Sequence, residues 1–243
     1  MGTLVKYGNY DIATAKKEQE QLAAEGGDFM KLLPGKNVVR ILPPRVGEKS
    51  PFVVTYQHFI KDNDKIVTFT CPRMMQKKSC PACSNAERMR ASGIPADRDA
   101  GFQWLPKRRV FIALIDRKQP EMGARTLAFG KMVHEGLLSL RNDEDWGDFC
   151  NPVDGYDVNI EKTGEGMKTE YKVLPRKHSP LAASPEQMNT WLEALPDMGR
   201  LAYVPSSNEI IEKLRTSGID IDSDDEPVLP AAKRRTASDD LED

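Results

Sequence analysis

The stretch PFVVTYQHFIKDNDKIVTFTC, Pro51–Cys71, sets two β-branched and aromatic runs on either side of the polar turn Asp62-Asn63-Asp64-Lys65. Branched and aromatic side chains pack well on a pleated surface, and Asn and Asp tolerate turn conformations. The stretch therefore reads as a β-hairpin. Outward from it, Asn37–Leu42 reads as a strand closed by Pro43-Pro44, and RRVFIALID (108–116) is the longest apolar run. ARTLAFG (124–130) follows the turn-rich QPEMG, and GYDVNIEKT with TEYKVLP makes a second hairpin across Gly164-Glu165-Gly166.

Short strands with one helical segment, about 130–140, predict a mainly β fold with peripheral helices instead of a parallel α/β sheet. A five-stranded OB barrel fits this strand count and accepts long inserted loops. Two further helices are expected after Pro180. SPEQMNTWLEAL has Ser184 as N-cap and Pro185 at the first helical position, and SSNEIIEKLRTSG has a Ser cap and a terminal Gly. The expected organisation is an N-terminal arm over 1–27, a core over 28–200 with an inserted lobe at about 58–92, a peripheral helix over 201–218 and a tail over 219–243. DIATAKKEQEQLAAE (11–25) in the arm is rich in helix formers but has a narrow apolar face.

The hairpin also carries chemistry. His58 precedes Cys71 by thirteen positions, Cys71 precedes Cys80 by nine and Cys80 precedes Cys83 by three, so three of the four cysteines gather in one stretch. A C-x-x-C turn points two thiolates at one centre. Pairing the strands brings His58 and Cys71 together, and the following loop needs only to fold back to present Cys80 and Cys83. One nitrogen and three sulfurs form a closed tetrahedral set suited to one structural zinc. With all four positions filled by protein, such a metal has no place for an activated water and staples the loop without catalysing anything.

Other readings of the cluster explain less. A thioredoxin-like CPAC leaves His58 and Cys71 without a purpose. A zinc deaminase needs Glu two residues after its His and Pro before the first Cys of the pair, where this chain has Ile60 and Ser79. Unconnected core cysteines are the bland alternative. Cys150, His134 and His178 lack ligand-spaced neighbours. No paired carboxylates in a common motif, phosphate-binding Gly loop or Ser/His constellation supports an enzyme.

The net charge of −2 conceals an asymmetry: Ile219–Asp243 has nine acidic and three basic residues, leaving the rest of the chain at +4. A mildly basic body thus precedes an acidic tail whose composition is that of a disordered segment. No apolar run suits a membrane span, the N-terminus has no signal-peptide pattern, and cysteine usage fits a reducing, cytoplasmic setting. Basic residues surround the cluster (Lys61, Lys65, Arg73, Lys77, Lys78, Arg88, Arg90), and WLPKRRVF (104–111) sets a basic triplet between aromatics. Bases stack on rings while phosphates meet Lys and Arg, so this is the composition a single-stranded nucleic-acid groove requires. Trp104, Phe111, Tyr156 and Tyr171 are among the candidate rings, Tyr156 and Tyr171 being expected to face the groove because of their hydroxyls and polar neighbours.

From about Phe29 to Pro175 the chain resembles the zinc-containing single-stranded DNA-binding proteins of the T-even bacteriophages. The resemblance rests on His58 at a strand end, Cys71, the knuckle Cys80-Pro81-Ala82-Cys83, and the stretches KNVVRILP, KRRVFIALID and RTLAFGK. It implies an OB-fold core with a His/Cys3 zinc subdomain and an acidic tail. It also implies a DNA cleft lined by Lys107, Arg108 and Arg109 beside Phe111 and bounded by Arg73, Lys77 and Lys78 of the zinc lobe. The family's N-terminal arm carries a compact basic motif for self-association along DNA; here the first ten residues have only Lys6, with Lys16 and Lys17 further on. The function expected is non-enzymatic coating of single-stranded DNA in phage replication, recombination and repair, inside the infected host cell, with the tail recruiting replication and recombination proteins. The alternative is a zinc-stapled protein-interaction or transcription-accessory module.

Overall fold

The computed structural model describes residues 29–62, 65–219 and 221. The expected arm at 1–27 and the tail beyond Ile221 lie outside the described residues. Strands β1 (Phe29–Met30), β2 (Gly35–Ile41), β3 (Val53–Asp62) and β4 (Lys65–Thr70) lead into helices α1 (Pro72–Gln76), α2 (Pro81–Ala91) and α3 (Pro95–Trp104). Then come β5 (Lys107–Asp116), β6 (Ala124–Phe129), α4 (Lys131–Asn142), β7 (Tyr156–Thr163), β8 (Glu170–His178), α5 (Pro185–Glu193) and α6 (Ser207–Thr216). The chain forms two compact units, one containing 29–55 with 108–203 and the other 56–107 with 204–221. No helix among the described residues is long and apolar enough to cross a membrane.

The first unit is a mainly antiparallel sheet in the order β1-β6-β5-β2-β7-β8. Among the described residues of this path only β1 and β6 run parallel, pairing Phe29 with Thr126 and Met30 with Leu127. Among the described residues this path has two ends and no pairing joins β8 to β1, so the barrel expected from the strand count is not closed. β5 reads as an unbroken apolar run because the strand is buried on both faces. Val110, Ile112 and Leu114 enter one core with Val39, Ile41, Leu127, Val158 and Ile160. Ala113 and Ile115 enter another with Leu42, Leu181 and Trp191 of α5. The Ser184 hydroxyl accepts from the Gln187 N–H at 3.2 Å, so α5 starts where its cap residue predicts.

In the second unit β3 pairs antiparallel with β4 from Gln57↔Thr70 to Asp62↔Lys65. The polar stretch after the hairpin is mostly helical, with α1, α2 and α3 between Pro72 and Trp104. The core contains Ile60, Val67, Phe69, Cys71, Cys80, Ala82 and Cys83 together with Ile210 and Leu214 of α6 and Ile219. The apolar i, i+4 pair of α6 is thus covered by the hairpin and the cysteines.

Candidate metal centre and nucleic-acid residues

The hairpin presents the first two ligands. His58 stands opposite Phe69, and the Cys71 N–H continues the ladder by donating to the Tyr56 carbonyl at 2.7 Å. Cys71 is also the N-cap of α1, with Pro72 at the first helical position. Lys77, at φ 60°, ends that helix in the left-handed region and turns the chain back. Cys80 is the N-cap of α2, again followed by proline, and Cys83 lies in the first turn. Proline has no N–H to lose at this position and its φ suits the helix, so each Cys-Pro step starts a helix. The N-terminal backbone amides favour the thiolate form of cysteines placed there.

The ligand atoms of His58, Cys71, Cys80 and Cys83 all lie within 4.8 Å of one another, and all four residues are buried. Cys71 Sγ and Cys83 Sγ are 3.5 Å apart, and His58 Nε2 lies 3.4 Å from Cys80 Sγ and 3.6 Å from Cys83 Sγ. Tetrahedral zinc, with bonds of about 2.3 Å to sulfur and about 2.0 Å to nitrogen, would set such pairs about 3.5–3.8 Å apart. The cluster can therefore hold one zinc ion. His58 Nδ1 lies 2.6 Å from the Trp104 carbonyl, which can only accept, so Nδ1 carries the proton and Nε2 is the atom turned to the sulfurs. Phe69 stacks on the imidazole, centroid to centroid at 5.1 Å.

The buried side chains perturb one another's protonation. Desolvation opposes a charged His58, yet hydrogen bonds to Cys71 and Cys80 raise it to about 9. Hydrogen bonds from Cys80 and Cys83 pull the Cys71 thiol far below the ordinary thiol range, while Cys83 is pushed up by its bonds to Cys71 and Cys80. Burial also pushes up Cys150, which belongs to the core of the first unit and not to the cluster.

The nucleic-acid candidates are spread over both units. In the second unit Lys77, Lys78 and Lys107 are exposed, while Trp104 is half-buried against the core beside the cluster. Arg73 bonds Glu87 and donates to Ser84 Oγ at 3.3 Å, so part of this expected DNA contact ties α1 to α2. In the first unit Arg108 and Arg109 are half-buried, and Arg109 interacts electrostatically with half-buried Tyr171. Two expectations are corrected. Tyr156 is 0% exposed and packs against Trp146, Phe149 and His178, so its ring does not face a groove. Phe111 is 4% exposed and meets Phe29 edge-on. Strand alternation explains both, since Tyr156 shares the face of Val158 and Ile160, and β5 has no solvent face at Phe111.

The family model described as gp32 DNA binding protein like matches residues 34–216, three quarters of the 243 residues and including all four ligands. The chain belongs to the gp32-like DNA-binding family. No curated protein matches the chain. The gp32-like match ends at Thr216, the last residue of α6, a helix that the sequence places at the periphery. In the structure Lys213 Nζ of α6 donates to the Thr68 carbonyl of β4 at 2.9 Å, and a Ser206–Glu209 capping box fixes the start of the helix. The repeated Cys-Pro step was the available signal for α1 and α2. Nothing local in the sequence reveals that α6 roofs the cysteines.

Proposed function

We propose that this chain coats and protects single-stranded DNA during phage replication, recombination and repair in the cytoplasm of an infected bacterium. The family match, which spans the basic strand β5 and the whole metal cluster, carries this reading. His58, Cys71, Cys80 and Cys83 would hold one zinc ion, which supplies four bonds that order the second unit and leaves no ligand position for water. The first unit is read as an OB-type scaffold offering Arg108, Arg109 and Tyr171 to DNA. The second unit offers Arg73, Lys77, Lys78, Trp104 and Lys107. Lys and Arg neutralise phosphates, while Trp104 and Tyr171 supply rings for bases. Phe111 and Tyr156 act from behind, as core supports. The arm over 1–27 would mediate self-association along DNA, and the acidic tail would recruit replication and recombination proteins.

Titration of fluorescent oligo-dT at two salt concentrations, beside a random duplex of equal length, tests the reading. The expected result is single-strand-selective binding whose log-log salt slope is about −0.7 per phosphate neutralised. Equal binding to duplex, or none at low salt, would reject it in favour of a protein-interaction module. The tail is tested by cutting after Ile221, which spares the buried Ile219 and removes a segment of net charge −5. If the tail competes for the cationic residues, the truncated protein binds oligo-dT several-fold more tightly at low salt; unchanged affinity sinks that role.

A further inference from the structure

His134 has no place in the metal cluster, yet it is one of the buried polar residues of the first unit. It sits in the first turn of α4, with the Phe52 ring edge-on at 4.7 Å between centroids. Arg108 NH2 on β5 lies 2.9 Å from His134 Nδ1. A guanidinium has only donors and does not lose its proton, so Arg108 donates and Nδ1 accepts. The imidazole is therefore neutral, with its proton on Nε2. Its pairing uses one of five guanidinium N–H groups and leaves the others for a second partner.

We propose that His134 is a positioning residue for DNA binding, its Nδ1 holding the Arg108 guanidinium in the orientation that meets a phosphate. The inference rests on the reading of Arg108 as a DNA contact. A long cationic side chain ordered before binding loses less freedom when the phosphate arrives, which raises affinity without a new contact to DNA. The same geometry gives a pH response of definite sign. A proton on Nδ1 removes the acceptor and sets two cations side by side. Desolvation first and the Arg108 charge second lower the His134 pKa, against Glu135 of the same helix, so the response sets in at lower pH than for a free imidazole. Added protons would otherwise strengthen binding to a polyanion; here they weaken the Arg108 contribution.

The experiment is a double-mutant cycle on oligo-dT affinity in the full-length, zinc-loaded protein, with His134→Leu, His134→Gln, Arg108→Ala and the Arg108→Ala/His134→Leu pair. His134→Leu is expected to weaken binding about five-fold at pH 7.5, the loss of one ordered cationic side chain. Gln, which keeps an acceptor, restores affinity to within about two-fold of wild type, as one retained hydrogen bond to a charged group should. In the Arg108→Ala background His134→Leu has no further effect. Between pH 7.5 and 5.5 wild-type affinity falls relative to His134→Gln, which shares the zinc site and His178 and so isolates His134. Additive losses, or parallel pH profiles for wild type and His134→Gln, overturn the proposal while leaving DNA binding intact. An Arg108→Ala protein that binds normally overturns both the proposal and the Arg108 contact, and a wild type that binds no oligo-dT overturns the proposed function itself. Should His134→Leu fail to fold, the His134→Gln pH profile decides alone.

Discussion

Replacing Cys80 with serine is expected to abolish tight metal binding and unfold the second unit while the sheet of the first unit remains protected. Serine keeps the size of the side chain but supplies no thiolate, so one of four ligands is lost. Zinc binding to such sets is worth about 10–16 kcal/mol in small peptides, more than an ordinary domain's entire stability at the lower end of its range. The apolar core cannot compensate, because Cys71, Cys80 and Cys83 are themselves part of it, beside Ile60, Val67, Phe69, Ile210 and Leu214. Helix α6 is included in the loss: among the described residues Ile210, Leu214 and Ile219 pack in this cluster. Amide hydrogen exchange makes the prediction specific. Protection should vanish in α2 and α6 but persist at β2, β5 and β7, and a metal chelator should reproduce the pattern in the wild type. A Cys80→Ser protein with α6 still protected would show that the helix is held independently of the cluster.

The parts of this architecture that follow local rules are readable in the sequence. KIVTFT gives β4 over Lys65–Thr70, the unbroken run after Lys107 gives β5, and the Ser caps give the starts of α5 and α6. The metal set was legible for the same reason, since a hairpin and a C-x-x-C turn are both short-range devices. Three things were harder. The polar composition of 72–104 masks three helices, because they bury little apolar surface and depend on Cys-Pro starts in α1 and α2, on an Ile-Pro start in α3, and on close α2–α3 packing at Gly101, where a Cβ would lie 2.8 Å from the Ala86 carbonyl. The parallel β1–β6 pair joins residues almost a hundred apart. The hydroxyl and polar neighbours of Tyr156 argue for an outward ring, whereas the two-residue period it shares with Val158 and Ile160 decides its direction.

The second large effect is expected from Gly155, immediately before Tyr156, where even a methyl group has no room. A Cβ there would collide with the Asn151 carbonyl oxygen and lie 2.8 Å from the Phe149 carbonyl and 2.9 Å from Arg40 NH2. The first two are backbone atoms of the same turn, which Gly155 itself closes by donating to Asn151 O at 3.0 Å. The third belongs to a fully buried guanidinium that donates to the same Asn151 oxygen at 2.9 Å. Its nearest carboxylate, Asp157 at 3.7 Å, is held more closely by Arg117 at 2.9 Å. Opening the turn to admit a methyl group therefore strips a buried cation of a hydrogen bond, in addition to the overpacking itself. Overpacking alone costs about 1–3 kcal/mol, and weakening a buried charge's partners adds to it. Gly155→Ala should lose about 3 kcal/mol, which for a chain of this size lowers the melting temperature by about 6–12 °C. Gly147→Ala, in the same connection between α4 and β7, is the matched control: its φ of 67° strains an alanine, but no atom lies within 4 Å of the added Cβ. That substitution should cost only about 1 kcal/mol. Thermal unfolding of the two variants separates the causes. If Gly155→Ala melts no lower than Gly147→Ala, the turn yields more readily than its contacts imply, and the buried Arg40 pairing is not what fixes the start of β7.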